Sequence, residues 1–364
     1  MIPIMESHSG SQPGHGLGAE LCGETLAGRY LLQSVLGVGG TATVYTAHDR
    51  LLRRRVAAKV LHPEYTRSAA QRRRVRQEAQ LGAQLSHPNI APILDFGDDA
   101  LVRAETLFFI VMPLLEGPTL RSFALDGPLS WATAGVLVHQ LLSGLATLHD
   151  HGVIHRDIKL DNCMVVRAGG HQRVVLLDLG LAKVIRADLV SSTLLSTKGR
   201  LVGTLPYLSP EQALGEPIDA RTDVYAAGVV LFELLAGRRP FVGTDYQVLV
   251  AHVEEPPPLP SALSPSAVIP PALDDVTLRA LAKRREDRFP SADAFRTALG
   301  EALRSEGVDV DAGPMASGCD EAQASLAAWT CFNYERAREL AEIACRRNRS
   351  WSPLKLLMSL VPED

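Results

Sequence analysis

The sequence predicts an α+β protein in which a strand-rich first part precedes a larger, mainly helical one. Three observations carry this. Between residues 30 and 61, short β-type runs alternate with turns. Beyond Gly117 the apolar residues fall at helix spacing, as at Val138, Leu141, Leu145 and Leu148. Residues 224–236 are apolar nearly all round, the mark of a helix buried at the centre of a core.

Residues 1–27 are rich in Gly, Ser and His with little periodicity and read as a mobile leader, order being expected from Gly28-Arg29-Tyr30. Strands are expected over 30–36, 42–48 and 55–61. A helix follows over 68–85, with Ala and Leu at helical spacing and an Arg-rich opposite face. Two further strands are expected over 91–96 and 106–113. Residues 256–271 are proline-rich and read as a loop within the larger part. The last helices of that part span 273–283 and 291–303, the latter with Ser291 and Asp293 placed to cap it. A Gly/Ser/Asp-rich linker covers 305–319, and residues 320–364 form a helical tail with Tyr334, Ala337, Leu340, Ala341 and Ala344 at helix spacing. This tail resembles one tetratricopeptide-like hairpin. A single such unit cannot bury its own face, so it either docks on the rest of the chain or on another protein, or is an ordinary terminal helix pair.

Composition narrows the function classes. With 364 residues and 46% hydrophobic content, the chain can bury a sizeable core in one large or two modest domains. Lys+Arg 37 against Asp+Glu 41 implies no overall field for nucleic acid. The five cysteines are odd in number and contain no Cys-x-x-Cys pair, which argues against a disulfide framework or zinc knuckle and fits a reducing cytosol. The N-terminus lacks a basic start followed by a long apolar run, so it does not read as a secretory signal. The longest apolar stretch, 224–237, carries Glu233 and is too short and too polar to span a bilayer. The expectation is a soluble, cytoplasmic protein with no nucleic-acid partner and no membrane span.

The chemistry concentrates between His155 and Gly180. The chain reads His155-Arg156-Asp157-Ile158-Lys159-Leu160-Asp161-Asn162 and, after two short apolar runs, Asp178-Leu179-Gly180. Three polar groups at this spacing can serve one phosphoryl transfer: Asp157 accepts a proton from an attacking hydroxyl, while Asn162 and Asp178 hold Mg²⁺ against a nucleotide's phosphates. An isolated Asp157 would be an ordinary loop or capping aspartate. Upstream, Leu36-Gly37-Val38-Gly39-Gly40-Thr41-Ala42-Thr43-Val44 joins the first two strands, and its glycines let a backbone approach phosphates without a side-chain clash. Alone it would be a Gly-rich hairpin. It gains weight because Val56-Ala57-Ala58-Lys59 follows on a strand, where small apolar neighbours would bury the stem of Lys59.

From these motifs the chain resembles the eukaryotic-like (Hanks-type) protein kinases, in their bacterial serine/threonine branch, over about residues 28–303. The resemblance implies a bilobal kinase fold with a β-rich N-lobe over 28–116 and a mostly helical C-lobe over 117–304. It implies ATP with Mg²⁺, or Mn²⁺, as cofactors. Leu36, Gly37, Val38, Gly39 and Gly40 would cover the nucleotide, and Val44 and Ala57 would line the ceiling of an adenine site between lobes. Met112 would guard the back pocket, and the backbone of Pro113 and Leu115 would meet the adenine edge. Lys59 would pair with the α- and β-phosphates and with Glu78, Glu64 being the alternative partner. Lys159 would neutralise the γ-phosphoryl and favour Ser/Thr substrates. Thr204 would bond Asp157 and Lys159 and help accept the hydroxyl. Glu211 would pair with Arg288, Asp223 would anchor the catalytic loop, and His155 would satisfy backbone groups.

Three positions depart from the family pattern: Ala42 stands at the third glycine, Pro113 at a usually acidic position and Leu179 at the commoner Phe. Arg156 before Asp157 implies activation by phosphate on the segment 178–211, with Thr197 favoured, then Thr193 or Ser196, and Ser191 and Ser192 also on offer. Arg72, Arg73, Arg74 and Arg76 could meet that phosphate or be a solvated helix face. Cys163 is either redox-sensitive or a small packing residue. Implied partners are ATP, Ser/Thr protein substrates, a protein that binds the tail, and a second copy in a kinase dimer. Two readings compete: a catalytically weak nucleotide-binding scaffold acting through its tail, and a small-molecule phosphotransferase.

Overall fold

Period-2 patterning builds one antiparallel sheet in the computed structural model, which describes residues 21–102, 105–125, 129–168, 171–178, 205–264 and 268–310. Its strands are β1 (Thr25–Leu26), β2 (Tyr30–Val38), β3 (Ala42–Asp49), β4 (Arg54–Leu61), β5 (Asp95–Val102) and β6 (Glu105–Pro113), in the order β1-β2-β3-β4-β6-β5. Helix α1 (Ala69–Gln84) follows β4. Because side chains alternate across a strand, Tyr45, Ala47, Val56, Ala58, Val60, Phe109 and Val111 gather on one face with Tyr30 and Leu32 in an apolar core.

Leu21 and Leu26 also enter that core. The span composition marked as a leader therefore contributes a strand and two buried leucines, a signal diluted in the sequence by the surrounding Gly, Ser and His. The strand expected over 91–96 begins instead at Asp95. Ile90 and Ala91 pair with Leu176, and the Asn89 side chain donates to the Val174 carbonyl at 2.7 Å. By contact the chain divides into two compact units, the first built from the chain through Ala83 plus Ile93–Leu114, the second from Gln84–Pro92 plus the chain from Leu115.

The second unit contains a hairpin that the sequence reading did not assign, β7 (Cys163–Ala168) with β8 (His171–Leu176). Its helices are α2 (Leu120–Leu125), α3 (Trp131–Asp150), α4 (Pro210–Leu214), α5 (Arg221–Ala236), α6 (Asp245–Glu254), α7 (Pro260–Leu263), α8 (Pro271–Ala280) and α9 (Ala292–Ser305). Side-chain caps start several of them: Ser130 for α3, Ser209 with Gln212 for α4, Thr244 with Gln247 for α6, and Ser291 for α9. Helix α5 is buried almost all round, touching α3, α7, α8 and α9. A Cβ at Gly228 would lie 2.8 Å from that of Ala280, so glycine is what permits the close approach of α5 and α8. Among the described residues α3, not 224–237, is the helix long and apolar enough to cross a bilayer by composition. Of its best window, 67% is buried, as in a core helix. The segment 179–204 and the chain beyond 310, including the tail, lie outside the described residues.

The expected Glu211–Arg288 pair is present and buried. Arg288 has a fully buried side chain, and each of its five N–H groups has an acceptor. Nη1 and Nη2 donate to the two Glu211 oxygens at 2.9 and 2.8 Å. The carbonyls of Ala282, Arg221 and Lys283 take the rest. Burial alone would raise the Glu211 carboxyl, but the Arg288 fork and the Thr222 hydroxyl outweigh it and hold it below its ordinary range. A depressed carboxyl contributes stability above its unfolded pKa of about 4.3 and loses it as pH falls toward the folded value. Arg288→Ala leaves that carboxylate buried and unpaired, so denaturant unfolding of the second unit should show a loss of about 3–5 kcal/mol. The acid-side pH dependence should shrink with it. Arg296→Ala, which breaks an exposed pair with Asp293, should cost about 0.5 kcal/mol or less.

Candidate active site

In the first unit the strand register sorts the expected nucleotide residues. Val44 pairs with Lys59 and Ala57 with Met112 across β3, β4 and β6, so these four side chains share the sheet face opposite the core. Lys59 is buried among them at 6% exposure. Glu78 is half-buried on α1. Glycines 37, 39 and 40 lie at the β2–β3 turn, where Leu36 and Val38 are exposed. Neither Gly37 nor Gly40 adopts a left-handed backbone, and a Cβ at either would meet nothing within 4 Å. The chain's own packing does not demand glycine there. What glycine provides is an exposed turn without side chains, whose backbone an anion can approach closely, although the Gly39 N–H is already donated to the Ala42 carbonyl at 2.8 Å.

In the second unit, Asp157, Lys159 and Asn162 come together in one loop. The Lys159 ammonium lies 3.3 Å from the Asp157 carboxylate. The Asn162 amide donates to the Asp157 carbonyl at 2.8 Å and to its carboxylate at 3.0 Å. Both amide hydrogens being committed, the Asn162 side-chain oxygen keeps its electron pairs for another partner. The Leu177 N–H donates to the Asn162 carbonyl at 2.8 Å, which ties Asp178 beside this loop. An amide oxygen and a neighbouring carboxylate suit Mg²⁺, which binds few protein oxygens and keeps water and phosphate in the rest of its shell. Among the described residues no cluster of three or more His, Cys, Asp or Glu side chains forms a cation cage.

Two side chains hold this geometry. Asp223, fully buried on the first turn of α5, accepts from the backbone N–H groups of His155 (2.7 Å) and Arg156 (2.8 Å) and from His149 Nε2 (2.8 Å). His155 accepts from the Asp157 N–H at Nδ1 and donates from Nε2 to the Leu177 carbonyl at 3.0 Å. Burial pushes its imidazole below the ordinary value, against the pull of Asp223, which keeps the ring neutral for this donor–acceptor pattern. The bridge clamps two strained residues: Arg156 and Asp178 have φ of 65° and 56°, uncommon for side chains with a Cβ.

Thr204, Leu179 and Gly180, like the activation-segment hydroxyls, lie outside the described residues. Pro113 ends β6, and Leu115 packs in a small cluster with Met164 and Leu177 around Ala91, Val166 and Val175. Met164, two residues beyond Asn162, was not singled out from the sequence. Cys163 is fully buried and its thiol is pushed up to about 12 by burial, first, and by Asp161, so it packs as a small apolar residue rather than as a reactive thiolate. The sequence also missed His149 and a polar cluster of Arg121, Asp161, Tyr207 and Glu233. Only Asp161, between Lys159 and Asn162, had a position that pointed to it.

Replacing Asp223 with Ala strands two backbone donors and an imidazole N–H. The expected result is a stability loss of about 2–5 kcal/mol and faster hydrogen exchange at the His155 and Arg156 amides than at the amides of α9. Asp223→Asn, with one acceptor oxygen, should fall between the two proteins.

Comparison with known proteins identifies the family. The protein kinase domain family matches residues 30–296. The chain is 41% identical to the serine/threonine-protein kinase PksC of Streptomyces coelicolor, over 75% of this chain and 49% of that protein. It is 41% identical to PknB of Mycolicibacterium smegmatis, over 75% of this chain and 43% of that protein. It is 36% identical to PrkC of Bacillus subtilis, over 75% and 40%. It thus spans less than half the length of these curated relatives. Among solved structures, the kinase domain of PknI from Mycobacterium tuberculosis matches with a TM-score of 0.59 at 27% identity, covering 77% of this chain and 98% of that one. A β-rich unit carrying Lys59, a helical unit carrying the Asp157 loop, and a family match across both lead to one assignment: the chain belongs to the protein kinase domain family.

Proposed function

We propose that this chain is an ATP-dependent serine/threonine protein kinase, transferring the γ-phosphoryl of ATP to Ser and Thr hydroxyls of proteins. The observation that carries the reading is the bonded set of Asp157, Lys159 and Asn162, fixed by Asp223 and joined through His155 to the residue preceding Asp178. ATP with Mg²⁺, or Mn²⁺, supplies the phosphoryl group and neutralises charge on its oxygens. Asp157 orients the substrate hydroxyl and accepts its proton. Lys159, already beside Asp157, offsets charge on the transferred group. Asn162 and Asp178 are the metal-facing oxygens. Lys59 holds the α- and β-phosphates with Glu78 as its helix partner, under the exposed glycine backbone of residues 37–40. Leu36, Val38, Val44, Ala57, Met112, Pro113 and Leu115 receive the nucleotide, and Thr204 assists the hydroxyl.

The activity is placed under control of phosphate on residues 188–204, with Thr197 first. A cytoplasmic location accompanies the reading, supported by the free thiols Cys22 and Cys163. The tail's protein partner and a kinase dimer remain parts of the same proposal.

With labelled ATP and Mg²⁺, the chain should phosphorylate Ser/Thr peptides, and Asp157→Asn should lower kcat by about 10²–10⁴-fold while ATP binding persists. Transfer that survives in Asp157→Asn would overturn the assignment of the base. ATP binding without transfer by the unsubstituted chain would favour the scaffold. Mass spectrometry after incubation with ATP should find phosphate between residues 188 and 204, and its absence in the active protein would sink the autophosphorylation part.

A further inference from the structure

We propose that Arg121 is a positioning residue for phosphoryl transfer, holding the Asp161 turn of the catalytic loop in register with Tyr207 at the other end of the activation segment. The inference rests on the kinase reading above.

From the short helix α2, one guanidinium reaches three elements separated from it by 40, 86 and 112 residues. Its Nε donates to both Asp161 carboxylate oxygens, at 2.8 and 2.9 Å. Nη2 donates to the Tyr207 hydroxyl at 2.7 Å, and Nη1 to Glu233 on α5 at 3.3 Å. The Tyr207 hydroxyl in turn donates to the other Glu233 oxygen. Burial, then Glu233, pushes the Tyr207 phenol above its ordinary value, so it stays a neutral donor.

Charge in the cluster balances: Asp161 and Glu233 face Arg121 and Arg239. Arg239 serves Glu233, at 3.6 Å, and stacks over the Tyr207 ring. The ion pair of Asp161 comes from Arg121. Loss of Arg121 therefore falls mainly on Asp161, whose one-turn helix Leu160–Asn162 sets where the Asn162 amide meets Asp157. Asp223 holds the start of the loop by the backbone of His155 and Arg156, and Arg121 holds its end. A lysine cannot reproduce this, because one ammonium on a flexible stem lacks the planar fork that reaches three partners together.

The test compares the unsubstituted chain with Arg121→Met, Arg121→Lys, Tyr207→Phe and the Arg121→Met/Tyr207→Phe pair, using a Ser/Thr peptide, ATP and Mg²⁺. Arg296→Ala serves as the control for a lost surface ion pair. Rates are normalised to the folded fraction from thermal melting. For Arg121→Met, kcat should fall about 10-fold or more, as displacement of reacting groups by about an ångström can cost. The Mg²⁺ concentration for half-maximal rate should rise, and KM for ATP should change little. Arg121→Lys should recover melting temperature but not kcat. The paired variant should lose less than the sum of its single losses in log kcat, since both residues act through one network. Unchanged kcat and Mg²⁺ dependence in the folded Arg121→Met protein, or full recovery of kcat in Arg121→Lys, would overturn the role. If Arg121→Met does not fold, Arg121→Lys and Tyr207→Phe decide by the same readouts. No transfer by the unsubstituted chain would overturn the kinase reading itself.

Discussion

The Asp223 carboxylate has no exposed surface and accepts three hydrogen bonds, two of them from consecutive backbone N–H groups of His155 and Arg156. A buried carboxylate is tolerable only when its oxygens are satisfied. Here two of the three donors belong to the loop that carries Asp157, so the solvation of one group and the position of another become a single requirement. The left-handed backbone of Arg156 is held by the same contact, and the rigid, almost wholly buried α5 supplies the fixed point.

From that anchor the polar framework of the second unit spreads outward. His155 transmits the loop's position to the carbonyl of Leu177, beside the strained Asp178. Arg121 ties the loop's far end to α5 and to Tyr207. Arg288 and Glu211 lock the start of α4 to the start of α5 through Thr222. The Arg121 and Arg288 contacts join residues far apart in sequence and place ionised groups where an unpaired one would be costly. The first unit works by different means. Along its strands, alternation separates the apolar core from the face that bears Val44, Ala57, Lys59 and Met112.

The parts legible in the sequence share a physical cause: they depend on period or on near neighbours. β2, β3, β4 and β6 start and stop within a few residues of their expected limits because alternation and turns are local. α1, α5 and α9 follow for the same reason, α9 with its Ser291 cap in place. β7 and β8 were less readable, since two short apolar runs at the centre of a unit carry no alternation. The strand expected over 91–96 begins only at Asp95, because Asn89 and Ala91 bond by backbone to Leu176 of β8, a partner more than 80 residues away. Leu21 and Leu26 were hidden by the composition around them, yet both enter the apolar core, Leu26 from the two-residue β1.

The same division runs through the site. Residue identities and spacing by themselves determined that Asp157, Lys159, Asn162 and Asp178 stand in the order proposed for a proton acceptor, a cation and two metal-facing oxygens, and that Lys59 rides a strand behind a glycine turn. They also determined the family, because so ordered a set has few other uses. The resemblance already implied Asp223 and His155 as supports of the loop; tertiary structure alone decided the rest of what holds those groups in place: His149 as a donor to the buried acid, the Gly228 contact that brings α8 against α5, and the guanidinium of Arg121 shared among three elements. The reason is that a hydrogen bond is set by position in space, and a local pattern of residues does not contain the coordinates of a partner 74 or 112 residues away.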